Sequence, residues 1–289
     1  MAKTMTLDDQ LRASLADLTP AERQLATHIL SHYPVAALGS ITQLAKAALV
    51  STPTVVRLAQ KLGYKGYPDF QMSLRGEVEA MLVTPLTKHD RQAARAPDGH
   101  ILNRFAEAVV SNLQATLNQI DHDDFDAAAV LLADPARKVF ALGGRITHAM
   151  ADYFASLMKV VRPGVTLWSD NSSTWPPAML DVAPGDVLLV FDIRRYEIDV
   201  LQATEMAREQ GAEVILITDR WVSPATVHAR HTFCCHIEAP SAWDSNVVLM
   251  VLTETLVAAI QDKTWTVTEP RMQRLEALYG RTRFFRHHR

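Results

Sequence analysis

Residues 40–74 read SITQLAKAALVSTPTVVRLAQKLGYKGYPDFQMSL, and they hold two helix starts and a helix stop. In Ser40-Ile41-Thr42-Gln43 a hydroxyl is followed three residues later by an amide, a pairing that satisfies two free N–H groups at a helix N-terminus. Ser51-Thr52-Pro53 is a second start, because Ser51 can cap and Pro53 falls in the first turn, where a missing N–H costs nothing. Gly63 supplies a left-handed stop. Ile41, Leu44 and Ala45 make one apolar face, and Val55, Val56, Leu58, Ala59 and Leu62 make another, joined by a short turn through Leu49 and Val50. Two short helices on a tight turn, with Ala45 and Ala48 small enough for close approach, fit a helix-turn-helix.

Toward the N-terminus the texture stays helical. Leu7, Leu11, Leu15 and Leu18, then Leu25, Ile29 and Leu30, recur at spacings of three and four. Thr19-Pro20-Ala21-Glu22 is a further capping box, so residues 1–82 are expected to form an all-α domain. Toward the C-terminus, residues 83–100 are polar and hold two prolines, which predicts a linker. Beyond a predicted helix at 101–120, apolar runs at 138–143, 165–170, 186–192, 213–219 and 233–239 alternate with helical segments near 147–160, 197–210 and 244–262. Strands separated by helices imply a five-stranded parallel sheet buried on both faces, in an α/β domain over 101–270. Residues 271–289 form a basic tail with six Arg against one Glu.

A length of 289 residues fits about two domains. Lys plus Arg number 29 against 32 Asp plus Glu, a net charge of -3, which excludes a chain that is polybasic throughout. The average conceals asymmetry: between 46 and 75, Lys46, Arg57, Lys61, Lys65 and Arg75 face only Asp69, the footprint a DNA-binding face requires. Ser51, Thr52, Pro53 and Thr54 sit at the start of the second helix, where base edges and phosphates are read. The candidate DNA contacts are therefore Lys46, Ser51, Thr52, Pro53, Thr54, Arg57, Lys61 and Lys65. A helical bundle that only dimerises is the competing reading.

In an open parallel sheet, ligands bind beyond the C-terminal strand ends. The first run ends in Gly143-Gly144-Arg145-Ile146-Thr147, a glycine turn entering a helix, with a cation and a hydroxyl placed to meet an anion. The third ends in Asp192-Ile193-Arg194-Arg195-Tyr196, where paired guanidinium forks can clamp a carboxylate or phosphate. Ser241, Asp244 and Ser245 precede the last helix and can add polar contacts, with capping of that helix the competing role for Ser241 and Asp244. Trp168, Trp175 and Trp221 fall near strand ends, where core packing competes with lining a pocket. Cys234 and Cys235 are adjacent in a strand and point to opposite faces, which excludes a disulfide framework, and His228, His231 and His236 lack metal-ligand spacing. No metal or cofactor is expected. With no signal-peptide pattern and no long apolar run, a cytoplasmic location without membrane contact is expected.

Residues 40–74, together with the preceding LTPAERQLATHILSHYP, resemble the N-terminal winged-helix segment of the RpiR family of bacterial transcriptional regulators. The resemblance implies DNA contact from Val50 through Arg57. It continues at 138–262, which looks like that family's sugar-isomerase-like (SIS) domain, a sensor of phosphorylated sugars. KVFALGGRITHAMADYF matches the first loop, with Thr147 where the family's GxGxS has its phosphate-binding serine and Arg145 in place of the second glycine. FDIRRYEID departs from the hydroxyl-rich SxSGxT of the second loop. The expected ligand is accordingly an anion held by charge: a sugar phosphate, a sugar acid or another carboxylate.

The expected function is a ligand-responsive regulator of an adjacent catabolic or transport operon, acting on double-stranded operator DNA as a homodimer or homotetramer. The alternative is an SIS-type sugar-phosphate isomerase, for which Glu197 and His148 are the candidate bases.

Overall fold

The computed structural model describes residues 7–33, 36–81, 86, 88 and 99–282. The chain divides into two compact units, Met1–Thr84 and Pro85–Arg289. The 83–100 linker falls almost wholly outside the described residues.

The first unit holds α1 (Leu7–Ser14), α2 (Pro20–Ser31), α3 (Ile41–Ala47), α4 (Thr52–Lys61) and α5 (Tyr67–Met81). Both capping boxes form. Thr19 Oγ1 accepts from the Glu22 N–H while Glu22 accepts from the Thr19 N–H, and Ser40 and Gln43 repeat the exchange. One face of each helix closes a core of Leu7, Leu11, Leu25, Ile29, Leu44, Leu58, Phe70 and Leu74, all at most 2% exposed. Gly63 takes φ 92 and ends α4, as its position predicts. No strand occurs among the described residues of this unit, so no wing follows α4. Tyr67–Met81 is instead a helix, anchored by Tyr67, whose hydroxyl donates toward the carbonyls of Ala37 and Gly39 at 3.0 and 2.8 Å.

The second unit opens with α6 (Ile101–Leu117) and α7 (His122–Ala133), then alternates β1 (Val139–Gly143), α8 (His148–Val161), β2 (Val165–Leu167), α9 (Trp175–Met179), β3 (Val187–Asp192), α10 (Ile198–Glu209), β4 (Glu213–Asp219), β5 (His231–Cys235) and α11 (Val247–Thr282). The strands form one parallel sheet in the order β2-β1-β3-β4-β5. Every residue of β1 and β3 is buried, which is why both runs lack polar alternation. One layer beneath the sheet is built by Val200, Ala203 and Ala207 of α10 with Trp175 and Met179 of α9.

Several elements differ from the sequence expectation, among them α9, which was not expected, and β5, which lies at 231–235 instead of 233–239. The helix α7 is additional; Asp121 caps it by accepting from the Asp124 N–H at 2.9 Å. β2 is only three residues long; Trp168, just beyond it, still donates its N–H to the Ala141 carbonyl of β1 at 3.0 Å and packs against Phe140 with ring centres 5.9 Å apart. The last helix does not stop near 262, nor does a separate tail begin at 271: α11 runs through Pro270 to Thr282. Thr268 and Arg271 flank the proline and donate to the carbonyls of Val161 and Lys159, at 3.2 and 2.6 Å, which docks this stretch on the end of α8.

Candidate functional site

The turn between α3 and α4 is fixed from within. The N–H groups of Ala48 and Val50 donate to the carbonyls of Leu44 and Ala45, both at 2.9 Å, and Leu49 takes a positive φ of 55 with its side chain exposed. Gln24 of α2 donates to the Ala48 carbonyl at 2.9 Å. Ile41, Thr42, Thr52, Pro53, Val56 and Arg57 line a shallow open depression at the N-terminal end of α4. Lys46, Ser51, Pro53, Arg57 and Lys65 are exposed, so the cations and the helix start share accessible surface.

In the second unit, β1 has β2 on one side and β3 on the other, so chain order reverses between β1 and β3 and a crevice opens at their C-terminal ends. Gly143 lies opposite Phe191 in the register. A Cβ on Gly143 would stand 2.5 Å from the Thr147 carbonyl, so only glycine lets α8 start this close to the strand. Thr147, 4% exposed, accepts from the Gly144 N–H at 2.9 Å and donates to the Phe191 carbonyl at 2.6 Å, tying the loop to β3. The Arg145 N–H donates to Glu197 Oε1 at 2.7 Å across the crevice.

Beyond β3 and β4 lies a compact polar network. Asp219, fully buried, accepts from the Arg194 N–H (2.5 Å), the Tyr196 hydroxyl (2.8 Å) and the Trp221 N–H (2.9 Å). Burial pushes its carboxyl up to about 6 despite these donors. Asp192, 3% exposed, accepts from the Ser223 hydroxyl, and burial pushes it up to about 7, with the Asp219 and Glu197 carboxylates raising it further. Burial likewise drives the Tyr196 phenol well above its ordinary value. The Arg194 guanidinium lies 3.8 Å over the Trp221 ring and donates to Asp244 Oδ1 at 2.8 Å, where Lys88 also donates at 2.7 Å. Arg145 and Arg195 are exposed, the latter at φ 69.

Residues 5–81 match the helix-turn-helix domain of the rpiR family, and residues 132–259 match the SIS domain. The chain joins an rpiR-family helix-turn-helix domain to a SIS domain. It is a transcriptional regulator of the RpiR type, similar over most of its length to other regulators. It is 25% identical over 287 residues to the HTH-type transcriptional regulator HexR of Pseudomonas aeruginosa, covering 96% of each chain. It is 26% identical over 222 residues to HexR of Escherichia coli, covering 74% of this chain and 72% of that one. Among solved structures it shares its fold with the Vibrio vulnificus NanR protein complexed with ManNAc-6P, at 20% identity and a TM-score of 0.55 over 95% of this chain and 98% of that one. The sugar isomerase domain of an RpiR transcription factor from Sphaerobacter thermophilus gives a TM-score of 0.56 at 22% identity, over 61% of this chain and 97% of that one.

The geometry of this RpiR-type chain corrects several residue expectations. Thr54 is 3% exposed, and its hydroxyl meets Ser51 Oγ at 2.9 Å and Arg57 Nη2 at 3.1 Å, so it braces α4 instead of facing DNA. Ser51 holds the cap position without a cap hydrogen bond. Lys61 is engaged with the Asp17 carbonyl (2.6 Å) and Glu22 (3.2 Å), tying α4 to α2. Thr147 is bonded to the Phe191 carbonyl and Arg194 to Asp244, whereas Arg195 is exposed. Ser241 accepts from the Trp243 N–H, and Ser245 from the Val247 N–H at 3.3 Å, so Ser245 serves the start of α11 and Asp244 does not cap it. Trp168 and Trp175 are core residues. His231 pairs with Asp124 at 2.6 Å, and among the described residues no three His, Cys, Asp or Glu side chains are placed to hold a metal. No helix among the described residues is long and apolar enough to cross a membrane.

Sequence reasoning missed Thr42, which lines the depression at the start of α4, although its position in the first turn of α3 was a signal. It also missed the buried Asp219, whose place at the end of a strand run was visible.

Proposed function

We propose that this regulator binds operator DNA through the exposed face formed by Lys46, Ser51, Thr52, Pro53, Arg57 and Lys65, with Thr42 added, and that its SIS domain senses an anionic small molecule. The sugar-phosphate, sugar-acid and other carboxylate classes all fit, and the regulated genes are those of an adjacent catabolic or transport operon. The observation that carries the sensing half is the Arg145 N–H, which already holds a carboxylate at 2.7 Å at the β1–β3 crevice. Two copies present paired recognition helices to a two-fold operator, and exposed Trp265, Val267 and Leu278 on α11 suit contact between copies. We read the protein as a sensor and not as an isomerase, since the SIS domain is joined to a helix-turn-helix domain.

The test is binding of the full chain to the DNA upstream of its own gene, with and without a panel of sugar phosphates and sugar acids. Binding that one anionic member weakens or strengthens supports the proposal. Turnover of a sugar phosphate that Glu197→Gln abolishes would favour the isomerase.

A further inference from the structure

Glu197 occupies an unusual place. It is the cap residue of α10, where Ser, Thr, Asn or Asp are the favoured types, and its side chain makes no cap bond to that helix. It crosses to the other loop, where Oε1 accepts from the Arg145 N–H at 2.7 Å. The carboxylate also lies against Gly144: a Cβ there would stand 2.8 Å from Oε1 and 2.9 Å from Cδ, so the carboxylate keeps this position only while residue 144 has no side chain. Three features thus converge on one small volume: a side-chain-free Cα, a backbone donor in the turn ahead of the 14-residue helix α8, and an anion seated on both.

Three neighbouring donors are already engaged. Thr147 is bonded to Phe191, the Gly144 N–H to Thr147, and Arg194 to Asp244. His148, the first residue of α8, has a buried Nδ1 with no hydrogen-bond partner among the described residues. An incoming anion therefore meets a cradle that already contains one, with the like charge of Glu197 opposing it.

We propose that Glu197 is a built-in anion that holds the effector's anion position at Gly144–Arg145, so that an anionic effector binds by displacing it. This rests on the reading of the SIS domain as an anion sensor. Glu197 then determines specificity. A neutral sugar offers the Arg145 N–H only an uncharged acceptor, a weaker partner than the carboxylate it must displace, whereas a phosphate monoester or a carboxylate brings the charge that the helix start favours. Displacement also frees the residue from which α10 begins, which couples occupancy to the position of that helix start.

The experiment uses the full chain with 15N-labelled arginine, inorganic phosphate and acetate as separate probes, and the variants Glu197→Gln and Glu197→Ala. Affinity is measured by calorimetry and the Arg145 amide by NMR. Removing a charge-assisted hydrogen bond that competes with the probe should tighten binding by about tenfold or more in both variants. The Arg145 amide should lose its bonded shift in Glu197→Ala and regain it on adding the probe. A gain with phosphate alone identifies a phosphate ester as the effector class; a gain with both identifies a simple anion site. Equal affinity of parent and variants, with the Arg145 amide responding in all, refutes the competition but leaves anion sensing intact. Weaker binding by the variants also overturns it. No binding of either probe to any form, with a silent Arg145 amide, overturns the anion-sensing reading itself.

Discussion

Asp192→Asn isolates the most strongly perturbed carboxyl in the second unit. Asn presents the same oxygen to the Ser223 hydroxyl but cannot ionise. Burial moves Asp192 from 3.8 to about 7, so above pH 4 the folded protein keeps a proton that the unfolded chain has released. A raised carboxyl of this kind destabilises as pH rises: the folded state loses about 1.4 kcal/mol per pH unit between the unfolded and folded values, then levels off. Over that window the parent loses about 4 kcal/mol in all, of which about 2.5 kcal/mol falls between pH 5 and pH 8. The stability of the Asn variant relative to the parent should therefore grow by about 2.5 kcal/mol over those three pH units. All five tryptophans, Trp168, Trp175, Trp221, Trp243 and Trp265, lie in the second unit, so urea unfolding followed by tryptophan fluorescence reports on that unit alone. A difference between variant and parent that is the same at pH 5 and pH 8 would refute the reasoning, because it would mean that Asp192 ionises in the fold as freely as in water.

Further outcomes follow from the same geometry. Arg57→Ala should weaken operator binding and lower the slope of log affinity against log salt by about one, in an anisotropy titration over a salt series. Thr54→Ala should leave that slope unchanged and lower the stability of the first unit by about 1 kcal/mol in denaturant melts; a changed slope would return Thr54 to the DNA face. Arg194→Ala strips Asp244 of one cation and uncovers Trp221, so it should cost about 1–3 kcal/mol of stability with little change in anion affinity. Lost anion binding at unchanged stability would make Arg194 a ligand contact after all. Gly143→Ala forces a Cβ to within 2.5 Å of the Thr147 backbone and should destabilise the second unit by about 3 kcal/mol, read from its unfolding midpoint. A neutral result there would show that the first turn of α8 can retreat from β1.

Elements whose causes lie within a few residues were legible in the chain. The Thr19 and Ser40 boxes, Gly63, and the unbroken apolar runs of β1, β3 and β4 announced a helix-turn-helix and a doubly covered parallel sheet before any fold was known. The position of the β1–β3 strand ends was legible in outline, since the order of strands and helices fixes where the chain order of a parallel sheet reverses. The continuation of α11 past Pro270 was not, because the contacts that support it come from the carbonyls of Lys159 and Val161, more than a hundred residues away.

Individual roles divided along the same line. Residue type and spacing placed Arg57 on an accessible helix start, but could not reveal that Lys61 is held by Glu22, Thr147 by Phe191, Arg194 by Asp244 and the Arg145 N–H by Glu197. Those partners are separated by 39, 44, 50 and 52 residues. A hydroxyl or guanidinium has the same chemistry whether it waits for a ligand or is already paired. Sequence by itself thus determined which donors and acceptors exist and on which elements they ride. Only the tertiary structure decided which of them remain open, because closing a hydrogen bond takes two groups brought to within about 3 Å of each other.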